Sequence, residues 1–333
     1  MKAYSISKYS KGDKMQLVDM PEPNIGDSEV LAAIHATALN QLDNKLKEGE
    51  FKLLLPYKFP LVLGHDFAGV ITKVGSKVNR FKAGDEVFAR PADFHIGTFA
   101  EYIAVNENDL ALKPKNISME EAASIPLVAL TVWQAFFEKA QLKKGQKVFI
   151  QAGSGGVGTI AIQLAKHLGA TVATTASVHN FELLKSLGAH VLIDYKTQDF
   201  ETILKDYDLV LNSQDEKTLA KSLRILKRGG KVVSISGPPD VAFAKALSLP
   251  WFTKMVISFL SRKVRNQAQK LGVDYTFLFM QANGKQLTAI ADLIEKGVIS
   301  PVIDKVFPFA AMNEAMDYVS SGRAKGKVVV KIK

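Results

Sequence analysis

Over roughly the first 110 residues, apolar positions come in short runs, at 29–34, 67–74, 86–89 and 99–105. Gly and Pro punctuate them (Pro21, Pro23, Gly26, Gly64, Gly69, Gly75, Gly84, Gly97). Several short strands at this spacing predict a compact barrel or sandwich. From about Ser118 the rhythm changes. The stretch 120–139 has helical period, and strands at 147–151, 171–175, 191–194, 209–212 and 231–235 then alternate with helices at 157–168, 180–187 and 218–226. In the first of these helices Val157, Ile160, Ala161, Leu164, Ala165 and Leu168 make one buried stripe, and Gly169 stops it. Such alternation predicts an α/β, doubly wound parallel sheet with helices on both faces.

The segment 241–272 breaks the rhythm with apolar residues and a basic run. A last strand is expected at 275–279, followed by helix, strand 302–307, helix and strand 327–332. A β-rich start, a parallel middle and a short mixed tail suggest one domain from both termini, 1–123 with 282–333, and an inserted domain, 124–281. At 333 residues two domains are also what chain length favours.

The sharpest local signal is Gly153-Ser154-Gly155-Gly156-Val157-Gly158, a G-x-G-x-x-G run between a predicted strand and a predicted helix. In such a loop Gly153 permits the tight turn, Gly155 lets backbone approach a pyrophosphate, and Gly158 lets helix pack on strand. The helix N-terminus adds free N–H groups and partial positive charge. This context points to a dinucleotide. NAD-preferring sites carry an acid at the end of the second strand. Here that strand ends Thr174-Thr175-Ala176-Ser177, and the first acid is Glu182, inside the next helix. A carboxylate there would repel a 2′-phosphate, so its absence favours NADP(H), with an NAD enzyme of unusual ribose contact as the alternative. No Lys or Arg lies between Lys166 and Lys185, so a distant cation would have to assist.

Composition narrows the chemistry. The chain has no cysteine, which excludes disulfides, thiolate catalysis and sulfur-ligated zinc or iron–sulfur sites. The formal net charge of +10 is scattered, with no block of like charge, and is read as a basic but ordinary surface with no DNA partner. The N-terminus lacks an apolar signal segment, and the apolar stretch 241–260 is broken by Lys245, Pro250 and Lys254. The expectation is a cytoplasmic protein whose membrane contact is at most peripheral.

A series of motifs is similar to those of a known family: Asn40-Gln41-Leu42-Asp43-Asn44-Lys45 with Gly49, Gly64-His65-Asp66-Phe67-Ala68-Gly69-Val70, Val74-Gly75, and Phe81-Lys82-Ala83-Gly84-Asp85-Glu86-Val87. Gly97-Thr98-Phe99-Ala100-Glu101-Tyr102, the glycine-rich loop after Ala152, Asp194-Tyr195-Lys196 and Gly326-Lys327-Val328-Val329 complete it. In this order, end to end, the chain resembles the medium-chain dehydrogenase/reductase superfamily in its zinc-free quinone oxidoreductase and enone (alkenal) reductase branch. The resemblance implies a GroES-like β-barrel domain formed by both termini around an inserted Rossmann sheet.

Zinc-dependent members place a cysteine where this chain has Asn40, and carry four more in a lobe. Only seven residues separate Arg90 from Thr98, which leaves no room for that lobe. His65 matches a family zinc ligand and is read as a satisfied histidine in a tight turn. No metal site is expected. Without a metal Lewis acid, hydride delivery suits an acceptor already electron-poor by conjugation, a quinone or the β-carbon of an enone. The resemblance therefore implies an NADPH-dependent reductase acting on a small-molecule electrophile, as a homodimer. A non-catalytic, crystallin-like NADPH-binding protein, structural or RNA-binding, is the alternative.

By resemblance, Asn40 and Lys45 face nicotinamide and substrate, Lys45 to stabilise or protonate developing oxygen charge, and Asp43 orients its neighbours. Thr131 matches a nicotinamide-side threonine. Ser177 and Tyr195 match positions near the 2′-phosphate, where Asn180 replaces a lysine of some relatives. Arg323 corresponds to an arginine that reaches that phosphate, and Lys327 is grouped with the cofactor contacts. Ser236 and Gly237 follow a strand whose carboxyl end borders the ligand crevice in such folds. Phe279 is a candidate cleft residue. The segment 241–270 is read as a helical hairpin that covers the cleft or pairs subunits, with contact to an anionic membrane surface as the lesser option.

Overall fold

The computed structural model describes residues 1–247 and 249–333, so Ser248 of the 241–272 segment lies outside the described residues. The chain divides into two compact units, Met1–Leu130 with Gln281–Lys333, and Thr131–Met280. The first seam falls at 130/131 instead of the expected 123/124. The reason is local: the helix Met119–Ala123 packs on the N-terminal sheet, and the Leu127 N–H donates to the buried Asp66 carboxylate at 2.7 Å.

In the first unit the long strand Glu29–Leu39 is the spine. It pairs antiparallel with Asp66–Val74, with Tyr102–Asn106 and with the C-terminal strand Lys327–Lys331, itself parallel to Ile303–Pro308. Glu86–Ala89 and Leu110–Leu112 extend the sheet beyond Asp66–Val74. A smaller sheet holds Gln16–Asp19, Lys2–Ile6 and Leu61–Val62. Alternation along these strands sends Val30, Ala32, Ile34, Phe67, Ile71, Val87, Ile103 and Val105 into one core. The C-terminal strands thus join strands of the first 112 residues in one sheet, the GroES-like arrangement the resemblance implies.

The second unit is a six-stranded parallel sheet in the order Val191–Asp194, Thr171–Ala176, Lys147–Ile150, Tyr207–Asn212, Leu226–Ser234, Asp274–Phe277. The order reverses at Lys147–Ile150, the switch point where doubly wound sheets bind ligands. Phe149, Ala173, Ile193, Val210, Leu223 and Val232 build its core, and the helix Arg262–Leu271 adds Val264 and Ala268.

Several boundaries differ from the pattern. The helix expected over 120–139 is three pieces: Met119–Ala123, Pro126–Trp133 and a wider π-helical stretch, Gln134–Ala140. Pro126 lacks the N–H that would continue the first piece. The helix expected at 218–226 is Glu216–Arg224, because Asp215 caps it by accepting from the Thr218 N–H at 2.8 Å. Leu226 consequently belongs to the next strand. The last parallel strand ends at Phe277, so Phe279 lies beyond it. Among the described residues of 241–272 there are three helices, Val241–Ala246, Trp251–Leu260 and Arg262–Leu271.

Candidate active site

The short helix Gln41–Lys47 begins over a buried polar cluster. Its first turn is fixed by Asp43, whose Oδ2 accepts from the Asn40 N–H at 2.7 Å. The other carboxylate oxygen of Asp43 lies 2.6 Å from His65 Nδ1. Both side chains are fully buried, and His65 Nε2 has no hydrogen-bond partner among the described residues. His65 is therefore only half satisfied, against expectation. The Nδ1 contact to Asp43 leaves Nε2 with an unused hydrogen-bonding position.

Asp66 sits beside this pair at the start of its strand. Its Oδ2 accepts from Asn40 Nδ2 at 2.8 Å and from Lys327 Nζ at 3.2 Å, and its Oδ1 accepts from the Leu127 N–H. Lys327 Nζ also donates to Asn40 Oδ1 and to the Leu39 carbonyl. Lys327 is 5% exposed, so its ammonium is spent inside this cluster and is not presented to a phosphate. The arrangement is a buried ion pair whose members are all further hydrogen-bonded, the condition that makes such burial tolerable. Asn40, held on both sides of its amide, has one amide hydrogen left to offer. Lys45 lies on the exposed side of the helix, 3.7 Å from Glu50. Among the described residues no three His, Asp or Glu side chains are grouped to hold a metal ion.

In the second unit the loop after Lys147–Ile150 turns sharply into the helix Gly156–His167. The left-handed residue of that turn is Ala152 (φ 52°), not Gly153. Gly153 is needed for closeness instead: a Cβ there would stand 2.2 Å from Thr174 Oγ1, and one on Gly158 would stand 2.5 Å from the Ala152 carbonyl oxygen. A Cβ on Gly155 would meet only that carbonyl oxygen, at 3.4 Å, so its outer face is open. Gly155 is also the helix N-cap and offers no side chain, which leaves the first-turn N–H groups of Gly156, Val157 and Gly158 without a side-chain cap. Ser154, half-buried, adds a hydroxyl. This cradle fits a pyrophosphate.

Beside it the second strand ends at Ala176, in register with Asp194 of the neighbouring strand. Ser177 Oγ lies 3.3 Å from His179 Nε2 and accepts weakly from Asn180 Nδ2 at 3.4 Å. Ser177 and Asn180 are buried, whereas Tyr195 is exposed and Lys196 follows it on the surface. The Asp194 carboxylate is occupied by its own turn, accepting from the Lys196 N–H and Thr197 Oγ1. His179 lies inside the stretch between Lys166 and Lys185 that holds no Lys or Arg, Lys196 lies beyond it, and both stand near this strand end. Arg323 belongs to the first unit, in the exposed turn beyond Met312–Ser320.

A buried amide–hydroxyl network ties the remaining strand ends together. Asn212 Nδ2 donates to Gln151 Oε1 at 2.8 Å, Gln151 Nε2 to Ser222 Oγ at 2.7 Å, and Ser234 Oγ to Asn212 Oδ1 at 2.5 Å. Ser236 Oγ donates to the Gln214 carbonyl, and the Gly237 N–H donates to Ser234 Oγ. Tyr275 closes this corner on the Pro238 carbonyl at 2.7 Å, and burial pushes its phenol pKa well up. Thr131 is buried on its helix, and Phe279 packs edge-on against Phe243. No helix among the described residues is long and apolar enough to cross a membrane.

Residues 26–115 match the family described as the alcohol dehydrogenase GroES-like domain, and residues 187–330 the family described as zinc-binding dehydrogenase. The chain is 38% identical to the 2-methylene-furan-3-one reductase of Solanum lycopersicum, over 99% of this chain and 79% of the relative. It is 36% identical to the chloroplastic NADPH-dependent alkenal/one oxidoreductase of Arabidopsis thaliana, with the same two coverages. Among solved structures, the quinone oxidoreductase from Coxiella burnetii superposes with a TM-score of 0.85 at 30% identity, over 100% of this chain and 99% of that one. The chain is an oxidoreductase that uses a nicotinamide cofactor, and the binding-only alternative falls away. It belongs to the medium-chain dehydrogenase/reductase superfamily, in its zinc-free quinone oxidoreductase and enone reductase branch.

Proposed function

We propose that this protein reduces quinones or the conjugated double bond of α,β-unsaturated carbonyl compounds with NADPH. The observation that carries the cofactor reading is the end of the second parallel strand, where Ser177, His179 and Asn180 gather and no free carboxylate stands. A 2′-phosphate needs donors and positive charge, whereas a ribose 2′-OH needs an acid acceptor. Tyr195 and Lys196 flank the same edge, and Arg323, with a planar fork suited to phosphate, is the assisting cation of this reading. The glycine loop from Gly153 to Gly158 takes the pyrophosphate, while Thr131, Ser236, Gly237 and Phe279 are assigned to the nicotinamide side.

Bound NADPH supplies the hydride. The acceptor gains that hydride at one end of its conjugated system and a proton at the other. Negative charge therefore grows on a carbonyl or quinone oxygen, and the groups with unused donor capacity are the Asn40 amide and the Lys45 ammonium. Asp43 and Lys327 act through others: Asp43 holds His65 and the helix start, and Lys327 holds Asn40. Support for the acceptor class comes from the relatives, whose names specify a furanone, alkenals with enones, and quinones. A homodimer belongs to this proposal, supported by the outer strand Asp274–Phe277, which pairs on one side only.

The test is kcat/KM for NADPH and NADH with enone, quinone and simple-alcohol panels, in wild type and Arg323→Ala. The expected result is a preference for NADPH that shrinks at least tenfold in the variant, with activity confined to conjugated acceptors. Equal use of both cofactors, or faster oxidation of simple alcohols with NADP⁺, would overturn the reading.

A further inference from the structure

The helix Trp251–Leu260 wears its apolar side outward. Trp251, Phe252, Met255, Val256, Phe259 and Leu260 repeat at i, i+1, i+4, i+5, i+8 and i+9, which places them on one stripe. All six are exposed, Trp251 at 73% and Phe259 at 74%. The polar positions Thr253, Lys254 and Ser258 are the half-buried ones, and Ile257 alone is buried. A helix on a water-facing surface has the reverse order.

The stripe belongs to a fixed element. Arg265 donates to the Ser258 carbonyl at 2.8 Å and to Ser258 Oγ at 3.0 Å, and Ser261 Oγ donates to the Ile257 carbonyl at 2.9 Å. The next helix, Arg262–Leu271, is anchored in the sheet's core through Val264 and Ala268.

Charge selects the occupant. Residues 241–272 contain six cations, Lys245, Lys254, Arg262, Lys263, Arg265 and Lys270, and no Asp or Glu. Lys263 pairs with Glu216 and Arg265 is engaged as above, while Lys245, Lys254, Arg262 and Lys270 show no ion pair among the described residues. A second copy docked stripe to stripe would set these cations against their equals. An anionic lipid surface would take the aromatic and aliphatic side chains at its headgroup boundary and attract the cations of the same segment. The helix has 10 residues, about 15 Å of rise, and cannot span a hydrocarbon core of about 30 Å. It has the length and pattern to lie in the plane of the interface.

We propose that the apolar face of Trp251–Leu260, in a segment that carries the exposed cations Lys245, Arg262 and Lys270 and no acid, is a docking surface for an anionic phospholipid bilayer. The proposal is independent of the acceptor and cofactor readings above.

The whole chain is sedimented with vesicles of phosphatidylcholine alone and of phosphatidylcholine with about one-third phosphatidylserine, following Trp251 emission and its quenching by brominated lipid. Expected are binding to the anionic vesicles only, a blue shift, and loss of binding in Phe252→Ser/Phe259→Ser with melting temperature unchanged. Arg262→Glu/Lys270→Glu should weaken binding by well over tenfold, at about fivefold per cation near the surface. Equal binding to both vesicles would overturn the proposal. So would absence of binding together with self-association that Phe252→Ser/Phe259→Ser abolishes, which would assign the stripe to a second copy.

Discussion

Replacing Lys327 by Met tests the buried cluster most sharply. The ammonium of Lys327 donates to the Leu39 carbonyl, Asn40 Oδ1 and Asp66 Oδ2, and the side chains of Lys327 and Asp66 are 6% and 0% exposed. Met fills similar volume but removes the charge, so the Asp66 carboxylate stays buried with only Asn40 Nδ2 and the Leu127 N–H to hold it. Breaking one side of a buried pair costs about 3–5 kcal/mol, mostly as the penalty of the charge left behind. For a unit of this size each kcal/mol moves the melting temperature by about 2–4 °C, so a drop of about 6–20 °C is expected by scanning calorimetry. The double variant Lys327→Met/Asp66→Asn removes both charges and should regain more than half of that loss. The dissociation constant for NADPH should change less than threefold in whichever variant remains folded at the assay temperature. A single variant melting within about 2 °C of wild type would refute the burial argument. Intact stability with a large loss of NADPH affinity would return Lys327 to the cofactor.

The glycine loop separates two effects. Gly155→Ala should leave the melting temperature unchanged yet weaken NADPH at least tenfold by titration, because its Cβ enters only the open face. Gly158→Ala should lose both, since its Cβ would press on the Ala152 carbonyl and on Gly153 Cα, 2.5 and 2.6 Å away. His65→Leu removes one partner of the buried Asp43 carboxylate and should cost about 1–3 kcal/mol in denaturant unfolding; an unaltered midpoint would contradict that pairing. On the surface, Lys221 holds Asp199 and Arg224 holds Glu201 below the usual carboxylate range. A lowered folded pKa means their contribution is present above the unfolded value and is lost as pH falls through the folded one. Asp199→Asn/Glu201→Gln should therefore flatten the acid limb of a stability profile below the usual carboxylate range, by less than about 1 kcal/mol per pair.

Periodicity carried most of the inserted unit, because its central strands Lys147–Ile150 and Tyr207–Asn212 are short buried apolar runs and the helix Gly156–His167 between them in sequence has one apolar stripe. The strands of the first unit were legible by their Gly and Pro punctuation, but their pairing was not, since the partners of Glu29–Leu39 include a strand almost 300 residues away. Pro126 stands inside the run 120–139 read as one helix, and its missing N–H is what divides that run. The loop could be located but its mechanics only partly assigned, because the positive φ falls on Ala152 while Gly153 is required by the closeness of Thr174, a neighbour only the folded sheet supplies. In the sequence Lys327 is grouped with the cofactor contacts. Only the fold brings Asp66 and Asn40 to it, and nothing local marks a lysine that will be buried. His179 stands in the sequence two residues after the strand-end Ser177, but its ring nitrogen is brought to that hydroxyl only by the turn between them.

The central claim is hydride transfer from NADPH to a conjugated acceptor. It is tested most directly in a single turnover with enzyme in excess, NADPH deuterated at C4 and an acyclic enone, with the product examined by deuterium NMR. The account predicts one deuterium at the β-carbon and a solvent-derived proton at the α-carbon. Deuterium on the carbonyl carbon, giving an allylic alcohol, or no transfer while simple alcohols are oxidised with NADP⁺, would contradict it.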